Sequence, residues 1–446
     1  MSHRLIIFTR YPEPQKSKTR LIPTLGPVGA AVLQREMTRH TLRRAEELAE
    51  RERVSVEVHF DGGSRASIEA CFGPEACYRP QSGGDLGRRM SEAFASAFRE
   101  GATRAVIVGT DCPGITAPLL RAAFDRLADH DLVLGPALDG GYWLVGLRRP
   151  APRLFTQMPW GSDRVLEETL DAAREIGLSA SLLERLADVD RPADLEVWER
   201  ARNRFRGDLA DARISVVIPA LNEAGWLGDT LCPLEHAANV ETIVVDAGSE
   251  DRTPQIARSH GCRLLTTAPG RARQMNAGAA EADGSILLFL HADTRLPEAF
   301  AKYVREALIR RNVAAGAFRL RLDARGWPFR VIERAINLRS VLRQMPYGDQ
   351  AIFMTADRFY LTGGFPDLPI MEDFELVRRL RRRGRIAIVS EPVVTSARRW
   401  QALGPWRTTR LNQMVVLGYR LGVSPRRLAT WYRGKRRAPR GDADSG

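Results

Sequence analysis

VVIPALNE at residues 216–223 and VVDAGSEDRT at 244–253 are the stretches of this sequence that decide its fold. In each, a run of β-branched residues leads directly into a loop with acidic or amide side chains. HADT at 291–294 follows the apolar run LLFL in the same way, and MED stands at 371–373. Parallel strands of an α/β sheet end at one edge, where ligands bind. Carboxylates gathered at that edge can hold a nucleotide diphosphate through a metal ion.

The first half of the chain repeats this arrangement with different residues, as AVIVGTDCPG at 105–114 and LGPALDGGYW at 134–143. At 446 residues the chain is too long for one ordinary core, and two domains of roughly 200 residues are expected. Alternating strands and helices predict a mostly parallel sheet in each domain. We therefore predict an α/β protein with two tandem Rossmann-like, nucleotide-handling domains.

The composition is that of a soluble globular protein, with 44% hydrophobic and 27% charged residues. No apolar run approaches the ~18–20 residues of a membrane span, and the N-terminus MSHRLIIFTR lacks the long apolar core of a signal peptide. The five cysteines are odd in number and show no CxxC spacing, which favours reduced thiols over a disulfide or zinc framework. We therefore expect a cytoplasmic location, with contact at the inner face of the membrane as an open alternative.

The net charge of +13 raises the hypothesis of nucleic-acid binding. Lysine occurs only at 16, 18, 302 and 435, so nearly all of the basic charge is arginine, which is typical of GC-rich coding. No zinc-finger spacing, RNP-like aromatic pattern or helix-turn-helix accompanies the charge. Anionic nucleotides or an anionic membrane surface explain it more economically, and we expect no nucleic-acid partner. A basic nucleic-acid-binding protein remains the alternative from another class, and charge alone supports it.

Apolar periodicity places the elements of the first domain, which we predict over residues 1–205. The polar, arginine-rich stretch 199–213 is typical of a helix end followed by a linker. Strands are predicted at 3–8, 54–60, 105–109, 131–136 and 142–147, and helices at 28–50, 86–99, 117–128, 162–176 and from 192 onward.

The second domain is predicted over residues 213–432. Beyond residue 320 we expect amphipathic, basic helices rich in tryptophan, including 326–343 and 407–421. Residues 433–446 are predicted to form a disordered basic tail. Strands are predicted at 214–220, 241–246, 263–267 and 285–290, and helices at 224–237, 252–260 and 272–282.

The motifs of the second domain, in their order and spacing, resemble those of inverting family-2 glycosyltransferases with the GT-A nucleotide-sugar fold. Within that family the sequence is most similar to the branch called selenodomain-associated transferase 2, from about residue 213 to 430. The resemblance implies a nucleotide-sugar donor, an acceptor hydroxyl and Mg²⁺ or Mn²⁺. The cation would neutralise the charge that develops on the departing diphosphate. Asp293 falls at the family's metal-binding acidic motif, and His291 replaces the first acid of that motif.

The remaining roles in this domain are also implied by the resemblance. A base must deprotonate the acceptor hydroxyl on the face opposite the leaving group. Asp373 resembles that base, and Glu372 stands beside it. The other positions are Asn222, Glu223 and Asp246 for the base and ribose of the donor, Arg271, Gln274 and Asn276 at a helix N-terminus for its phosphates, and Gln350, Arg398, Arg399 and Trp400 for acceptor and diphosphate contacts.

Simpler structural roles stay open for single members of this set. Acids at strand ends also form ordinary turns, acids at the start of a helix also complement its dipole, and paired arginines also form solvated faces. These alternatives apply to Asp246 and Asp293, to Glu372 and Asp373, and to Arg398 and Arg399, respectively.

FTRYPEPQKSKTRL at residues 8–21 contains two of the four lysines of the chain. A lysine meets a polyphosphate as a compact point charge. The stretch resembles the PxPGxxKTRL loop of selenodomain-associated transferase 1 and, more distantly, 2-phospholactate guanylyltransferases, over roughly residues 3–200. The resemblance implies a nucleotidyltransferase that holds a nucleoside triphosphate while an anion attacks its α-phosphorus.

The resemblance also implies the residues that do this work. Lys16, Lys18 and Arg20 would bind phosphate. Asp111, Asp188 and Asp190 would meet the metal ions, and the loop Asp139, Gly140 and Gly141 would shape the substrate side, where glycines let the backbone approach a ligand. Gln15 stands where the family has glycine. A solvated basic loop and a turn capped by aspartate are the structural alternatives for the lysines and for Asp188 and Asp190.

The sequence thus predicts a bifunctional enzyme, in which the first domain activates a phosphorylated small molecule and the second transfers a sugar. An active glycosyltransferase with a degenerate, nucleotide-binding first domain is the alternative that Gln15 motivates. Three roles are open for helices 326–343 and 407–421: a cap on the active site, a membrane-facing surface and a dimer interface. We favour the cap because the apolar faces look short. The sequence predicts neither the oligomeric state nor the identity of the acceptor.

Overall fold

The computed structural model of the chain describes residues 2–433. The chain divides into two compact units, Met1–Phe205 and Arg206–Gly446. Each unit has a sheet of its own. The predicted tail lies outside the described residues, apart from residue 433, at which the last helix ends.

The first unit has a seven-stranded mixed sheet in the order β3-β2-β1-β4-β6-β5-β7. Only β6 runs antiparallel to its neighbours. The strands are β1 (Ser2–Arg10), β2 (Val54–Asp61), β3 (Cys77–Pro80), β4 (Ala102–Gly109), β5 (Leu132–Pro136), β6 (Tyr142–Leu147) and β7 (Ala180–Leu182). The helices are α1 (Ile22–Ala49), α2 (Arg65–Phe72), α3 (Leu86–Arg99), α4 (Ala117–Arg126), α5 (Val165–Glu175) and α6 (Leu195–Arg204).

Strand β1 shows why this sheet is buried on both faces. Its residues Leu5, Ile6 and Ile7 are all fully buried. Because successive side chains of a strand point to opposite faces, Leu5 and Ile7 pack in one apolar cluster and Ile6 in the other. A central parallel strand therefore reads as a continuous apolar run, as the sequence predicted.

The second unit has an eight-stranded mixed sheet in the order β10-β9-β8-β11-β14-β13-β15-β12. The strands are β8 (Ile214–Ala220), β9 (Val240–Asp246), β10 (Arg263–Thr266), β11 (Ile286–Phe289), β12 (Thr294–Arg295), β13 (Val313–Asp323), β14 (Ile352–Thr355) and β15 (Arg385–Ser396). The helices are α7 (Leu227–Leu231), α8 (Thr253–Ser259), α9 (Arg271–Ala280), α10 (Phe300–Ile309), α11 (Trp327–Arg343), α12 (Ala356–Leu361), α13 (Glu372–Leu380), α14 (Arg398–Leu403), α15 (Pro405–Arg420) and α16 (Pro425–Arg433).

The predicted α/β class with two mostly parallel sheets is confirmed by these topologies. The expectation that only helices follow residue 320 is wrong, because β13 extends to Asp323 and both β14 and β15 lie beyond it. The end of β13 alternates exposed Arg319 and Arg321 with buried Leu320 and Leu322. Alternation with a period of two residues is typical of a strand. The arginines led to the wrong prediction of a basic helix.

Several short elements also differ from the prediction. Helix 224–237 is reduced to α7 and a single 3₁₀ turn that ends at Leu234. Pro233 lies in that turn, and a proline lacks the N–H that a continuing α-helix would need. Elements α2, β3 and β7 were not predicted, because each is too short to show a period. No helix within residues 2–433 is both long and apolar enough to cross a lipid bilayer.

Candidate functional site

In the second unit, the parallel strands β8, β9 and β11 end at one edge, and the loops that follow them meet there. The loop after β8 adopts a left-handed turn at Asn222, with φ of 55°. The Asn222 N–H donates to Ser249 Oγ at 2.8 Å, and the Glu250 N–H donates to Asn222 Oδ1 at 2.9 Å. The Asn222 side chain therefore joins the loops after β8 and β9.

Asp246, at the end of β9, is only 4% exposed. Its Oδ2 accepts hydrogen bonds from the Gly248 and Ser249 N–H groups, both at 2.9 Å. Its Oδ1 accepts from the Ser249 hydroxyl. Both carboxylate oxygens thus close the loop 246–249, so the turn role holds for Asp246 in this structure.

Glu223 and Asp293 converge on one positive group. Nη2 of Arg398 lies 2.8 Å from Glu223 Oε2 and 2.9 Å from Asp293 Oδ2. The guanidinium also lies over the Trp226 ring, 5.0 Å from its centroid. Burial raises the pKa of Glu223, although Arg398 opposes that shift. The sequence predicted each of these three charged residues but not their mutual contact.

This convergence tests whether a divalent cation fits the site. Oxygens of two carboxylates lie within hydrogen-bonding distance of a single point, where Arg398 Nη2 sits. Hard oxygen ligands are those that Mg²⁺ and Mn²⁺ prefer. Within residues 2–433, however, no three His, Cys, Asp or Glu side chains are grouped closely enough to hold a metal by themselves. Glu223 and Asp293 would therefore suit a cation if Arg398 were displaced and if a diphosphate supplied the remaining ligands.

His291 and Asp373 come together across Gly348. A Cβ on Gly348 would lie 2.9 Å from His291 Nε2 and 3.2 Å from Asp373 Oδ2, so a larger residue there would crowd both side chains. Burial, reinforced by the nearby Arg271, holds the pKa of His291 well below its usual range. The imidazole is therefore neutral and does not form an ion pair with Asp373.

Two backbone groups orient Asp373, which is the second residue of α13. The Gly348 N–H donates to Oδ2 at 2.6 Å, and the Phe374 N–H donates to Oδ1 at 2.7 Å. Each oxygen keeps a further lone pair for an acceptor hydroxyl. Glu372 is buried at 6% exposure, so it belongs to the packing of the helix start. The structure thus separates the two acids that the sequence placed side by side.

Asp349 is a site residue that the sequence analysis missed. Its Oδ1 is buried without a hydrogen-bond partner. Burial raises the pKa of Asp349 to about 6, and the negative charges of Asp373 and Asp293 add to that shift. A buried carboxyl beside two other carboxylates is a common feature of functional sites. The motif YGDQ contained the clue, since an acid beside a predicted ligand-contacting glutamine had no assigned role.

Helix α9 presents one of its three predicted phosphate contacts. Gln274 Nε2 donates to the Ala220 and Val245 carbonyls, at 3.0 and 2.8 Å. Asn276 exchanges two hydrogen bonds with the Phe365 backbone. Both amides are therefore committed to the protein itself. Arg271, the first residue of α9, is exposed and acts electrostatically on His291 and Asp349 among other groups of the site.

Gln350 and Trp400 do not reach the surface of the site, which corrects their predicted role. Gln350 is fully buried. Its Nε2 donates to the Phe318 carbonyl at 2.8 Å, and its Oε1 accepts from the Ser340 hydroxyl at 2.8 Å. Trp400 is 8% exposed and packs in the apolar core. Both residues contribute to the packing that supports the site. Gln350 does so through its hydrogen bonds and Trp400 through its apolar contacts.

Arg399 holds the last helix in place. Its Nη2 donates to the Tyr432 carbonyl at 2.8 Å, and its guanidinium stacks 3.4 Å from the Tyr432 ring centroid. Arg271, Asp349 and Asp373 all act electrostatically on the Tyr432 hydroxyl. Helix α16 therefore lies beside the catalytic candidates, although the sequence assigned it no role in the site.

In the first unit, the loop after β1 carries Lys18, whose side chain is 4% exposed. Its Nζ lies 2.7 Å from Asp111 Oδ1 and donates to the Val189 carbonyl at 2.6 Å. The loop is anchored by Ser17, which is fully buried and donates to the Tyr11 carbonyl at 3.0 Å. Lys18 thus holds Asp111 at the end of β4, and it presents little surface to a phosphate in this structure.

The two other predicted cations differ in their surroundings. Arg20 pairs with Asp190 and keeps 64% of its side chain exposed. Lys16 forms a surface pair with Glu13, 2.9 Å apart, and is 69% exposed, so the solvated-loop alternative describes it well. Gln15, where the resemblance expects glycine, has φ of 69° and an exposed side chain. The backbone there keeps the glycine-like conformation and the side chain points to solvent.

The predicted metal acids of this unit lie around Cys112. Burial, with the charges of Asp111, Asp188 and Asp139, raises the pKa of the Cys112 thiol well above its usual range. Burial and Asp139 also raise the pKa of Asp188. Asp190 is instead engaged by Arg20. No group of three metal ligands forms in the described part of the chain, so the trio of Asp111, Asp188 and Asp190 is not assembled here.

The glycines after Asp139 serve the protein rather than a ligand. Gly140 has φ of 88°, and a Cβ there would lie 2.1 Å from the Asp163 carbonyl oxygen. The Leu166 N–H donates to the Gly140 carbonyl at 2.9 Å, and the Gly141 N–H donates to Asp139 Oδ1 at 2.9 Å. The close backbone approach predicted for this loop exists, but the partner is the segment before α5. The aspartate cap predicted near residue 188 is supplied by Asp194, which accepts from the Asp190 and Arg191 N–H groups.

A second cluster of the first unit was also missed. Asp61, at the end of β2, pairs with Arg10 at 3.2 Å and with Arg89 at 3.4 Å. Arg89 also donates to Gln81 Oε1 at 3.0 Å. The acid at the end of a predicted strand, followed by two glycines, was the available clue.

Two family models match the chain. Residues 215–364 match glycosyl transferase family 2, and residues 41–162 match DUF2064, described as an uncharacterized protein conserved in bacteria. The chain is a fusion of a DUF2064 domain and a glycosyl transferase family 2 domain. The predicted resemblances are thereby confirmed. The family-2 match includes Asp293 and Gly348, whereas Asp373 and Arg398 lie beyond the matched residues.

Relatives of each domain are transferases. Over 122 residues, 23% of this chain and 37% of the relative, the chain is 30% identical to glucosyl-3-phosphoglycerate synthase of Mycolicibacterium paratuberculosis. Over 170 residues, 38% of this chain and 82% of the relative, it is 25% identical to phosphoenolpyruvate guanylyltransferase of Chloroflexus aggregans. A solved structure named as a nucleotide-diphospho-sugar transferase from Desulfovibrio desulfuricans G20 is 34% identical, with coverage of 45% of this chain and 88% of that chain and a TM-score of 0.43.

The chain thus spans little more than a third of the length of the first curated relative. The family-2 domain and the names of the two curated relatives place the chain among the transferases.

Proposed function

We propose that the family-2 domain transfers a sugar, with inversion, from a nucleotide-diphosphate donor to an acceptor hydroxyl, and that the DUF2064 domain is a nucleotidyltransferase. The observation that supports the first part best is the meeting of three separate motifs around Gly348. His291 comes from HAD, Asp373 from MED, and Gly348 itself from YGDQ. Motifs far apart in sequence gather a candidate base beside a candidate diphosphate site, as such a reaction requires.

Asp373 is the proposed base. The acceptor hydroxyl gives its proton to a carboxylate oxygen of Asp373 as the acceptor oxygen bonds to the anomeric carbon. The bond from that carbon to the β-phosphate oxygen breaks, and its electron pair leaves with the diphosphate. The two N–H groups that hold Asp373 fix its direction of approach.

On the donor side, Asp293 and Glu223 are the proposed holders of Mg²⁺ or Mn²⁺. A bound cation would neutralise negative charge on the leaving diphosphate. Arg398, once it no longer bridges the two acids, and Arg271 at the start of α9 are placed to contact the phosphates. Neither arginine is buried, so both can reorient toward an anion.

In the DUF2064 domain, Arg20 is the exposed cation offered to a triphosphate, and Lys18 keeps Asp111 in place. An anionic oxygen of the substrate would attack the α-phosphorus, and pyrophosphate would leave. The similarity to phosphoenolpyruvate guanylyltransferase supports a guanosine nucleotide and a phosphorylated carboxylic acid as the first substrates to test.

A degenerate, scaffolding DUF2064 domain is the second candidate. The observation that favours it is the engagement of Asp190 by Arg20, which leaves the predicted acid trio unassembled. The glycine-like backbone of Gln15 and its exposed side chain count against the obstruction that first motivated this candidate.

The test of the glycosyltransferase is a panel of nucleotide-diphosphate sugars supplied to the full-length protein with Mg²⁺ or Mn²⁺. We expect release of free nucleoside diphosphate from one donor, and loss of that release in Asp293→Ala. Glu306→Ala, which changes an exposed acid on α10, is the matched control. Hydrolysis that is equal in Asp293→Ala and in the unchanged protein would remove Asp293 from the donor site.

A further inference from the structure

Helix α11 carries apolar side chains on the face that it turns to solvent. Trp327, Leu338 and Leu342 are 69%, 59% and 72% exposed, and Val331 is 41% exposed. These positions are four, seven and four residues apart, which is one, two and one helical turns, so they lie on one face of the helix. The opposite face holds Ile332 and Ser340, which are buried. An ordinary surface helix shows polar residues to solvent, so the exposed face of α11 has the wrong polarity for water.

Helix α15 repeats the pattern beside it. Met414, Leu417 and Leu421, just past its end, are 57%, 57% and 75% exposed, and Trp406 near its start is 49% exposed. The ring centroids of Trp327 and Trp406 lie 6.1 Å apart, so the two exposed faces meet at these tryptophans. We call these eight residues the apolar helix face: Trp327, Val331, Leu338, Leu342, Trp406, Met414, Leu417 and Leu421.

The apolar helix face is not a sample of ordinary surface. Of the fifteen exposed large hydrophobic side chains in the described residues, five lie on α11, one on α14, four along α15 and the residue after it, and one on α16. The remaining four are scattered over the rest of the chain. Single exposed hydrophobic residues are common, but a contiguous group of this size marks an interaction site.

The charge around this face identifies the occupant. The exposed arginines Arg334, Arg343, Arg407, Arg410 and Arg420 lie on the same two helices. Helix α15 contains no acid, and the one acid of α11, Glu333, is buried and pairs with Arg330 at 2.7 Å. A second copy of the chain would bring the same arginines and be repelled. An anionic lipid surface offers both an apolar interior and negative headgroups.

We propose that the apolar helix face docks on an anionic lipid bilayer and inserts its tryptophans and leucines between the headgroups. If the proposed glycosyl transfer holds, the same contact specifies the acceptor as a lipid-borne hydroxyl. The ring centroids of Phe374 and Tyr419 lie 5.7 Å apart, so α15 packs directly against α13, which carries Asp373 in its first turn. A bilayer held by α15 therefore brings lipid headgroups near the proposed base.

Membrane docking by α11 and α15 differs from the active-site cap that the sequence favoured for these helices. The apolar faces looked short in the sequence, whereas the exposed positions of α11 span it from Trp327 to Leu342. Packing of α15 beside Asp373 is compatible with a capping role for its inner side. The outer side then remains for the membrane.

The test is binding of the full-length protein to vesicles of phosphatidylglycerol mixed with phosphatidylcholine, and to vesicles of phosphatidylcholine alone. We expect co-sedimentation with the anionic vesicles and a blue shift of tryptophan fluorescence. Leu342→Glu and Leu421→Glu should each lower the partition coefficient about tenfold or more, because each removes a buried leucine from the bilayer contact. Leu182→Glu, at a 42%-exposed leucine in β7, is the matched control and should bind as the unchanged protein does.

The proposal fails if the protein does not bind anionic vesicles, or if Leu342→Glu and Leu421→Glu bind as well as Leu182→Glu. Analytical ultracentrifugation without lipid tests the alternative occupant, a second copy of the chain. If the unchanged protein is a dimer and both Leu342→Glu and Leu421→Glu are monomers, the apolar helix face is a dimer interface. Vesicle binding requires no donor or acceptor. A protein that binds vesicles but hydrolyses no nucleotide sugar would keep the docking surface and remove the lipid acceptor.

Discussion

At the scale of single residues, Arg398 determines how the acids of the second unit can act. Its guanidinium bridges Glu223 and Asp293, the two carboxylates proposed to hold a cation. A partly exposed bridge of this kind is worth about 1 kcal/mol, which a divalent ion with diphosphate ligands can exceed. A cation bound at the proposed site would therefore compete with Arg398 for the same oxygens.

Arg398→Ala is expected to bind Mn²⁺ about fivefold more tightly than the unchanged protein, because the competing cation has been removed. Isothermal titration with MnCl₂ in the absence of nucleotide measures this directly. Arg273→Ala, which removes an exposed arginine 3.5 Å from Asp367, is the control and should leave the affinity unchanged. Weaker Mn²⁺ binding in Arg398→Ala would contradict the competition.

Asp373→Asn is expected to lower the rate constant of sugar transfer by about 10²–10⁴-fold, the usual contribution of a general base. The dissociation constant of the donor should stay within a few-fold, because Asp373 lies on the acceptor side. Single-turnover kinetics and donor titration give the two quantities separately. Glu372→Gln serves as the comparison: a loss that is greater for Glu372 than for Asp373 would exchange their roles.

At the scale of elements, loops are fixed by contacts that a motif does not reveal. The loop at Gly140 packs against the backbone of Asp163, before α5. Helix α16 is held by Arg399 through the Tyr432 carbonyl and ring. Each contact can be removed while the motif residues stay in place.

Gly140→Ala should lower the free energy of unfolding of residues 1–205 by about 3 kcal/mol, because the new methyl group meets a backbone carbonyl and the φ is unfavourable. Urea unfolding of this fragment is suitable, since the unit has its own apolar cores. Gly161→Ala has a similar φ of 86° but no atom within 4 Å of the new Cβ, so only the conformational strain remains. It should cost about 1 kcal/mol. Equal losses in the two variants would contradict the steric argument.

Arg399→Ala should release α16, with amide exchange in residues 425–432 about tenfold faster, because a hydrogen bond and a cation–π contact are lost together. Hydrogen–deuterium exchange with mass spectrometry resolves this segment. Arg410→Ala, an exposed arginine on α15, should leave the exchange of α16 unaltered. Unaltered exchange in both variants would show that other contacts hold the helix.

At the scale of the whole molecule, each of the two units has a sheet of its own, so the two proposed activities can be tested separately. Asp111→Asn in the full chain should abolish pyrophosphate release from a nucleoside triphosphate and spare sugar transfer. Asp373→Asn should do the reverse, since each residue belongs to one unit. Parallel assays of both reactions on both variants give the answer. Absence of pyrophosphate release from the unchanged protein, over a range of phosphorylated acids, would favour the degenerate DUF2064 domain.

The sequence by itself determined the two-domain α/β architecture and the edge of each sheet at which the acids lie. Apolar runs that end in acids, such as the β-branched run before Asp246 and the run LLFL before Asp293, carry that information locally. The strands after residue 320 were not predicted from such runs, because β13 alternates leucine with arginine and β14 has only four residues.

Only the tertiary structure decided which of the candidate side chains are already engaged within the protein. Gln274, Asn276 and Gln350 have side chains suited to phosphate or acceptor, but their amides bind the backbone of their own scaffold. Asp349, by contrast, is left buried with an unpartnered oxygen. A side chain's partners are set by residues distant in sequence, and hydrogen-bonding capacity used inside the fold is no longer available to a ligand. The sequence shows the chemical type of each side chain. Whether that side chain is free to bind a ligand depends on how the folded protein packs around it.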